Sequence, residues 1–262
     1  MRSGIVVIAR GGSTRAESKM VADIHGKPLL ERLIDRLKLA KRADCIILAT
    51  TCLPADTELA DMARAHGLLV YRGSSEDVIE RMLGATLTYE LDFTIIAEGD
   101  ELFCDAEYID QAIEVAEATG ADCVKTKDLP IGSWVVGVRR EALEEVYQAK
   151  GDESTEAFAR FFTEDSKYKT SWLPPGEGIP PFNPRLRLTI DYPEDLQLAR
   201  EIYGRLELGG RSTRLMDVMS LFEQDPDLIE VNAFRNDEYY ARVKERTSKS
   251  TSELANEKRG QQ

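Results

Sequence analysis

The sequence predicts a three-layer α/β/α fold built on a mainly parallel sheet. Short apolar runs rich in β-branched residues recur along the chain, and segments with apolar residues at three- and four-residue spacing lie between them. Loops rich in glycine, cations or carboxylates follow directly on several runs, where ligands sit in open α/β sheets.

The first run, Ile5-Val6-Val7-Ile8-Ala9, shows no polar alternation and so reads as a strand buried on both faces. At Arg10 the character changes. Gly11, Gly12, Ser13 and Thr14 follow, with Arg15 and Lys19 close behind. Glycines let backbone N–H groups approach an anion, and successive N–H groups form a concave anion site. Arginine suits forked phosphate contacts. The loop therefore reads as a polyphosphate cradle charged by Arg10, Arg15 and Lys19. It has neither the G-x-x-x-x-G-K-[ST] nor the G-x-G-x-x-G pattern, which disfavours a P-loop ATPase and a dinucleotide-binding Rossmann domain.

Leu29, Leu30, Leu33, Ile34 and Leu37 predict a helix with Pro28 in its first turn. Residues 45–50 form the second strand, broken by Leu53-Pro54, and Leu59, Met62 and Ala63 mark a helix ending near Gly67. Residues 68–71 are the third strand. Arg72, Gly73 and Ser74 follow, and then Glu76 and Asp77, which fit a first helical turn. Residues 93–97 are the fourth strand, running into Glu98-Gly99-Asp100-Glu101. A carboxylate just past a buried strand suits a nucleotide-bound Mg²⁺, a hard cation that often takes only one or two protein oxygens. The same acids would also suit the start of the helix over 106–118.

Two more strands are predicted over 122–125 and 133–139, about a turn at Leu129-Pro130-Ile131-Gly132. An amphipathic helix spans 141–150, and another opens at Ser154 with Phe158, Phe161 and Phe162 as its apolar face. The proline- and glycine-rich stretch 174–181 is a loop, either a lid or a crossover. Leu186, Leu188 and Ile190 alternate as a strand with Arg185 and Arg187 on its other face. Asp191 stands at its end, and Pro193-Glu194-Asp195 opens the helix over 196–206.

Ala9-Arg10-x-Gly12-Ser13-Thr14-Arg15-x-x-x-Lys19, followed by Asp23-Ile24-x-Gly26-Lys27-Pro28-Leu29, resembles the signature of the sugar-activating cytidylyltransferases. The spore-coat polysaccharide cytidylyltransferase family is the nearest likeness, with the CMP-Kdo synthetases and acylneuraminate cytidylyltransferases as more distant relatives. Ala16-Glu17-Ser18 stands where that family usually has Leu-Pro-Gly.

The resemblance implies a nucleotide-diphospho-sugar transferase-like fold and transfer of CMP from CTP to a sugar, an acidic one by kinship, with release of pyrophosphate. It makes Arg10, Arg15, Lys19 and Asp100 catalytic. Asp100 in the Gly-Asp segment and Asp191 in Asp-x-Pro-Glu-Asp-Leu match the family's Mg²⁺-binding aspartates. Ala9, Gly11, Gly12, Ser13 and Thr14 would contact the nucleotide. Arg72, Gly73 and Ser74 would contact its base or ribose, and Arg139, with Lys125, would face the sugar; Trp134 could join them but reads rather as a core or interface residue. It also implies a homodimer. A glycosyltransferase using a nucleotide sugar, which would usually show an Asp-x-Asp pair, and a non-catalytic nucleotide-binding subunit are the alternatives.

The net charge of −13 over 262 residues argues against a general nucleic-acid or anionic-membrane binder. No apolar stretch reaches the length of a membrane span. Cys45, Cys52, Cys104 and Cys123 lack metal or redox spacing, so a reducing cytoplasm is the expected setting. The two histidines, His25 and His66, make neither a metal site nor an evident general base. The expected organisation is a nucleotidyltransferase domain over 1–207, a helical appendage over 208–246 and a disordered tail over 247–262.

Overall fold

The computed structural model describes residues 1–11, 19–151, 153, 155, 157–180, 182–208 and 214–248. Gly12, Ser13, Thr14 and Arg15 of the predicted phosphate loop lie outside them, as do Ser154 and nearly all of the expected tail.

A seven-stranded sheet has the order β5-β4-β1-β6-β8-β7-β9. Its strands are β1 (Ser3–Ile8), β4 (Cys45–Thr51), β5 (Leu69–Gly73), β6 (Phe93–Glu98), β7 (Cys123–Thr126), β8 (Val136–Arg139) and β9 (Thr170–Leu173). Only β8 runs against its neighbours β6 and β7; the remaining pairs are parallel. A small hairpin of β2 (Asp23–Ile24) and β3 (Lys27–Pro28) leads into α1 (Leu29–Leu37). Pro28 is the N-cap of α1 rather than part of its first turn. The other helices are α2 (Thr57–Ala65), α3 (Val78–Thr88), α4 (Ala106–Thr119), α5 (Arg140–Ala149), α6 (Arg160–Thr163), α7 (Pro193–Leu208), α8 (Leu215–Gln224) and α9 (Asn236–Ser248).

The first run explains the three layers. Ile5 and Val7 point into one apolar cluster, and Val6 and Ile8 into another on the opposite face of the sheet. Residues from α1, α2, α4, α7 and α8 fill the first cluster, and α3 and α5 cover the second. A strand buried on both faces needs apolar residues at every position, so β1 carries no alternation. Leu215, Val218, Met219 and Phe222 of α8 belong to the same core as α7. Cys123 is buried, and burial pushes its thiol up to about 12, so it packs as a small apolar group.

Beyond the helix expected from Ser154, which among the described residues is only the four-residue α6, two segments differ from expectation. Residues 185–190 are not a strand of the sheet; a single bridge joins Arg187 to Ile131. The segment satisfies its backbone on loops instead: Leu188 N donates to Ile131 O at 2.7 Å, and Ile190 N to Asp100 O at 3.0 Å. Gly132 makes this approach possible. Its φ is +93°, and a Cβ there would stand 2.1 Å from the backbone nitrogen of Thr189. Arg187, placed by alternation on the face away from the leucines, is fully buried. The second difference is β9. Thr170-Ser171-Trp172-Leu173 is too short and polar to register as a strand alone, and it forms by pairing with β7.

Candidate active site

Strand order fixes where the site must be. From β1 the chain builds outward through β4 to β5, then returns to place β6 on the other side of β1. The crevice beyond the carboxyl ends of β1 and β6 is therefore a topological switch point. Ala9 and Arg10 leave β1 there, and Glu98-Gly99-Asp100 leave β6. Gly99 N donates to Ile8 O at 2.8 Å, and a Cβ on Gly99 would stand 2.8 Å from that of Ala9. The two strand ends are thus locked side by side.

Asp100 and Asp191, 91 positions apart in sequence, meet in this crevice. The Ile190–Asp100 backbone bond ties their segments together. Lys19 makes the same link by side chain: its Nζ donates to Asp100 Oδ2 at 2.7 Å and to Ile190 O at 3.0 Å. Burial pushes the Asp100 carboxyl up, but the Lys19 ammonium and its hydrogen bond outweigh that and hold it below the usual carboxylate range. Arg242 of α9 donates to Asp191 Oδ1 at 2.6 Å. Asp191 N in turn donates to Asp195 Oδ2 at 2.8 Å, so the turn before α7 is fixed by a side chain of α7.

A cavity of about 330 Å³ adjoins both aspartates. Its floor is the carboxyl end of β6 with β7 and β8, and its walls include Trp134, Arg160 and Tyr239. Lys125 Nζ lies 4.9 Å from the centroid of the Trp134 ring, and burial lowers the lysine's pKa. Among the described residues lining it, five carboxylates (Glu98, Asp100, Glu101, Glu164, Asp191) face three cations (Lys125, Arg160, Arg242). Glu101 shows the consequence. Burial, then the neighbouring Glu98 and Asp100, push its carboxyl well above the usual range. A raised carboxylate pKa means that the folded chain holds the proton more tightly, so stability falls as pH rises from the unfolded value toward the folded one. Without metal, Glu101→Gln should therefore raise the melting temperature at pH 7 by about 2–4 °C, the shift for ~1 kcal/mol in a domain of this size. The gain should vanish near pH 4, which paired thermal melts at the two pH values would check.

On the other side of Asp100, the ends of β1, β4 and β5 converge. Arg10 Nη1 donates to Ser75 O at 2.9 Å, bringing the first loop to the segment after β5. Gly11 N donates to Asp56 Oδ1 at 2.6 Å, and Asp56 also accepts from Thr50 and Thr51, so this buried carboxylate anchors the loop to β4. Arg72 serves the scaffold: Nε donates to Thr51 O and Nη2 to Leu53 O. Gly73 leaves room for Tyr71 and Glu80, whose atoms would stand 2.7 and 2.9 Å from a Cβ. Ser74 Oγ accepts from the backbone N–H groups of Glu76 and Asp77 at the entry to α3. Arg81 of α3 donates to Ser74 O at 2.6 Å; burial first and Arg10 second lower its pKa.

Arg139 is not brought to this site. It pairs across the sheet with Phe93, at the amino end of β6, because β8 runs antiparallel. Its guanidinium donates to the carbonyls of Ala116 and Ala121 at the far end of α4. His66 pairs with Glu31, and His25 packs against Gly204, so neither histidine lines the cavity. Asp56, Arg81 and Arg242 were not singled out from the sequence. Nothing local marks Arg242; only the fold carries it to Asp191.

The family model described as Cytidylyltransferase matches residues 5–223, most of the chain. The chain belongs to the cytidylyltransferase family. It is thereby a CTP-dependent nucleotidyltransferase. The spore coat polysaccharide biosynthesis protein SpsF of Bacillus subtilis is 27% identical over 240 residues, covering 85% of this chain and 94% of that protein. Among solved structures, a cytidylyltransferase from Leptospira borgpetersenii superposes with a TM-score of 0.77 at 24% identity, covering 87% of this chain and 97% of that one. A CMP:2-keto-3-deoxy-manno-octonic acid synthetase complexed with CTP gives 0.62 at 15% identity, covering 78% and 99%. The structural likenesses establish the fold, a mostly parallel sheet between helices, as the sequence predicted. Among the described residues no helix of this cytidylyltransferase is long and apolar enough to cross a membrane.

Proposed function

We propose that this cytidylyltransferase transfers CMP from CTP to an acidic sugar and releases pyrophosphate, with Mg²⁺ bound at Asp100 and Asp191. The observation that carries the reading is the pairing of these two aspartates at the switch point, between the cation-bearing loop after β1 and the cavity over β6, β7 and β8. The donor set fits Mg²⁺, since both groups are hard oxygen ligands. Among the described residues no group of three or more His, Cys, Asp or Glu side chains is arranged to hold a metal alone. Two carboxylates plus triphosphate oxygens is the mode Mg²⁺ usually takes.

In this reading CTP lies across the ends of β1, β4 and β5, with Arg10 and Lys19 about its phosphates; Arg15, expected from the motif to join them, lies outside the described residues. The sugar enters the cavity, where, among the described lining residues, Lys125, Arg160 and Arg242 are the cations that could pair with an anionic group. A hydroxyl of the sugar attacks the α-phosphorus in line with the departing pyrophosphate, so the protein chiefly positions groups and balances charge. A divalent cation at the two aspartates would supply neutralisation of the α-phosphate and a lower pKa for the attacking hydroxyl. The cavity has no lining histidine to act as base.

The test is pyrophosphate release with each of the four ribonucleoside triphosphates and Mg²⁺, against a panel of acidic and neutral sugars. Release with CTP and an acidic sugar is the expected result. Release only with neutral sugars would overturn the acceptor class, and CTP binding without turnover on any sugar would overturn the transfer.

A further inference from the structure

Both proposed metal ligands already carry a cation from elsewhere in the chain. Asp100 holds Lys19, and Asp191 holds Arg242. Lys19 belongs to the loop that would bind phosphate. Arg242 lies beyond residues 5–223, the part of the chain matched by the family model. Its guanidinium carbon sits 5.1 Å from the Tyr192 ring centroid and 5.3 Å from that of Tyr239, so its planar group is steered between two aromatic rings. Nη2 donates to Asp191 Oδ1 at 2.6 Å, while Nη1 is buried and has no hydrogen-bond partner among the described residues. A buried donor left unpaired is costly, and it marks a place where a further acceptor belongs. The side chain itself is still 17% exposed and lines the cavity.

A cation approaching alone would have to displace Arg242 from Asp191 and strand its charge in a half-buried site. A cation arriving with a triphosphate brings oxygens that give the guanidinium a new partner. We propose that Arg242 is an exchangeable counter-ion of the metal site, withholding Asp191 from free divalent cations and yielding it to a cation delivered with the nucleotide. This rests on the reading that Asp100 and Asp191 ligate the metal. The helix is suited to the task. Asn236 fixes its start by bonds to Arg187 and to Arg185 O, and Arg235 just before it pairs with Glu194. Arg242 lies six residues further along, at the cavity.

The experiment uses the full chain and Mn²⁺, with free metal read by electron paramagnetic resonance and Mn²⁺–CTP retention by equilibrium dialysis. In the absence of CTP, Arg242→Met should bind Mn²⁺ about tenfold more tightly than the parent, because a unit charge next to the ligands has gone. Arg242→Lys should stay near the parent. Lys244→Met, which removes the same charge from an exposed position of α9, should stay within about twofold, the small effect expected of a solvent-screened charge. With CTP present, the advantage of Arg242→Met should disappear or reverse. A metal-alone affinity unchanged by Arg242→Met, or raised equally by Lys244→Met, would overturn the inference. Retention of Mn²⁺–CTP that needs Asp191 but is indifferent to Arg242 would overturn it while leaving the metal reading intact. No retention by any of these proteins with CTP would overturn both.

Discussion

Replacing Asp100 with alanine should lower kcat/KM for CTP by about 10³-fold, the scale on which removing a group that stabilises transition-state charge acts. The residue stands at the switch point, its backbone carbonyl holds the Asp191 segment, and its side chain holds Lys19. The substitution removes the carboxylate and leaves the backbone link, so Asp191 should keep its place. Lys19 keeps Ile190 O as an acceptor. The fold should therefore survive, with a pH signature. Because Asp100 is held below the ordinary carboxylate range in the folded chain, its ion pair contributes stability above that range and loses it as pH falls through the lowered folded value. Parent and variant should converge in melting temperature at low pH and separate toward neutrality. Pyrophosphate release with saturating acceptor, together with melts across pH, would check both parts. Near-normal turnover in Asp100→Ala would remove the aspartate pair from the mechanism.

Replacing Arg187 with alanine should be the most damaging change to the fold. Arg187 is fully buried, and its two terminal nitrogens meet the two oxygens of Asp195 at 2.8 and 2.7 Å. Asp195 Oδ2 also accepts from the backbone nitrogens of Asp191 and Tyr192, and Asn232 and Asn236 complete the network from the C-terminal segment. Removing one member of a buried pair leaves the other charge uncompensated, at a cost of about 3–5 kcal/mol. In a domain of this size that lowers the melting temperature by roughly 10 °C. Activity should fall too, since the same carboxylate fixes the Asp191 turn and the network anchors the helix bearing Arg242. Arg185→Ala is the control. Arg185 binds Glu230 just as closely, at 2.6 and 2.7 Å, but both side chains are 59% exposed. Screening by water limits that pair to about 0–1 kcal/mol. Denaturant titration of the two variants would decide; equal losses would mean that burial is not what gives the Arg187 pair its weight.

The sheet was legible because its chemistry is local. The parallel strands β1, β4 and β6 announced themselves as apolar runs, since a strand covered by helices on both faces must be apolar at successive positions. The strand ends were legible for the same reason: each run stops at an abrupt polar cluster. The 185–190 segment misled because alternation records which residues are buried, not what buries them. Leu186, Leu188 and Ile190 do enter the core, but Ile131 and Asp100 supply the backbone partners that a neighbouring strand would have given, and Gly132 leaves room for the approach. Arg139 misled because nothing in residues 133–139 states the direction of β8. An antiparallel strand carries its last residue to the edge opposite the site.

By itself, then, the sequence determined the layers, because hydrophobic burial is written in residues near one another; motif chemistry put forward the two aspartates and the cation-rich loop as candidates. Tertiary structure alone decided which charges meet. Lys19 reaches Asp100 and Arg242 reaches Asp191 across 81 and 51 positions. Ion pairing depends on distance in space, and only the folded chain fixes that distance.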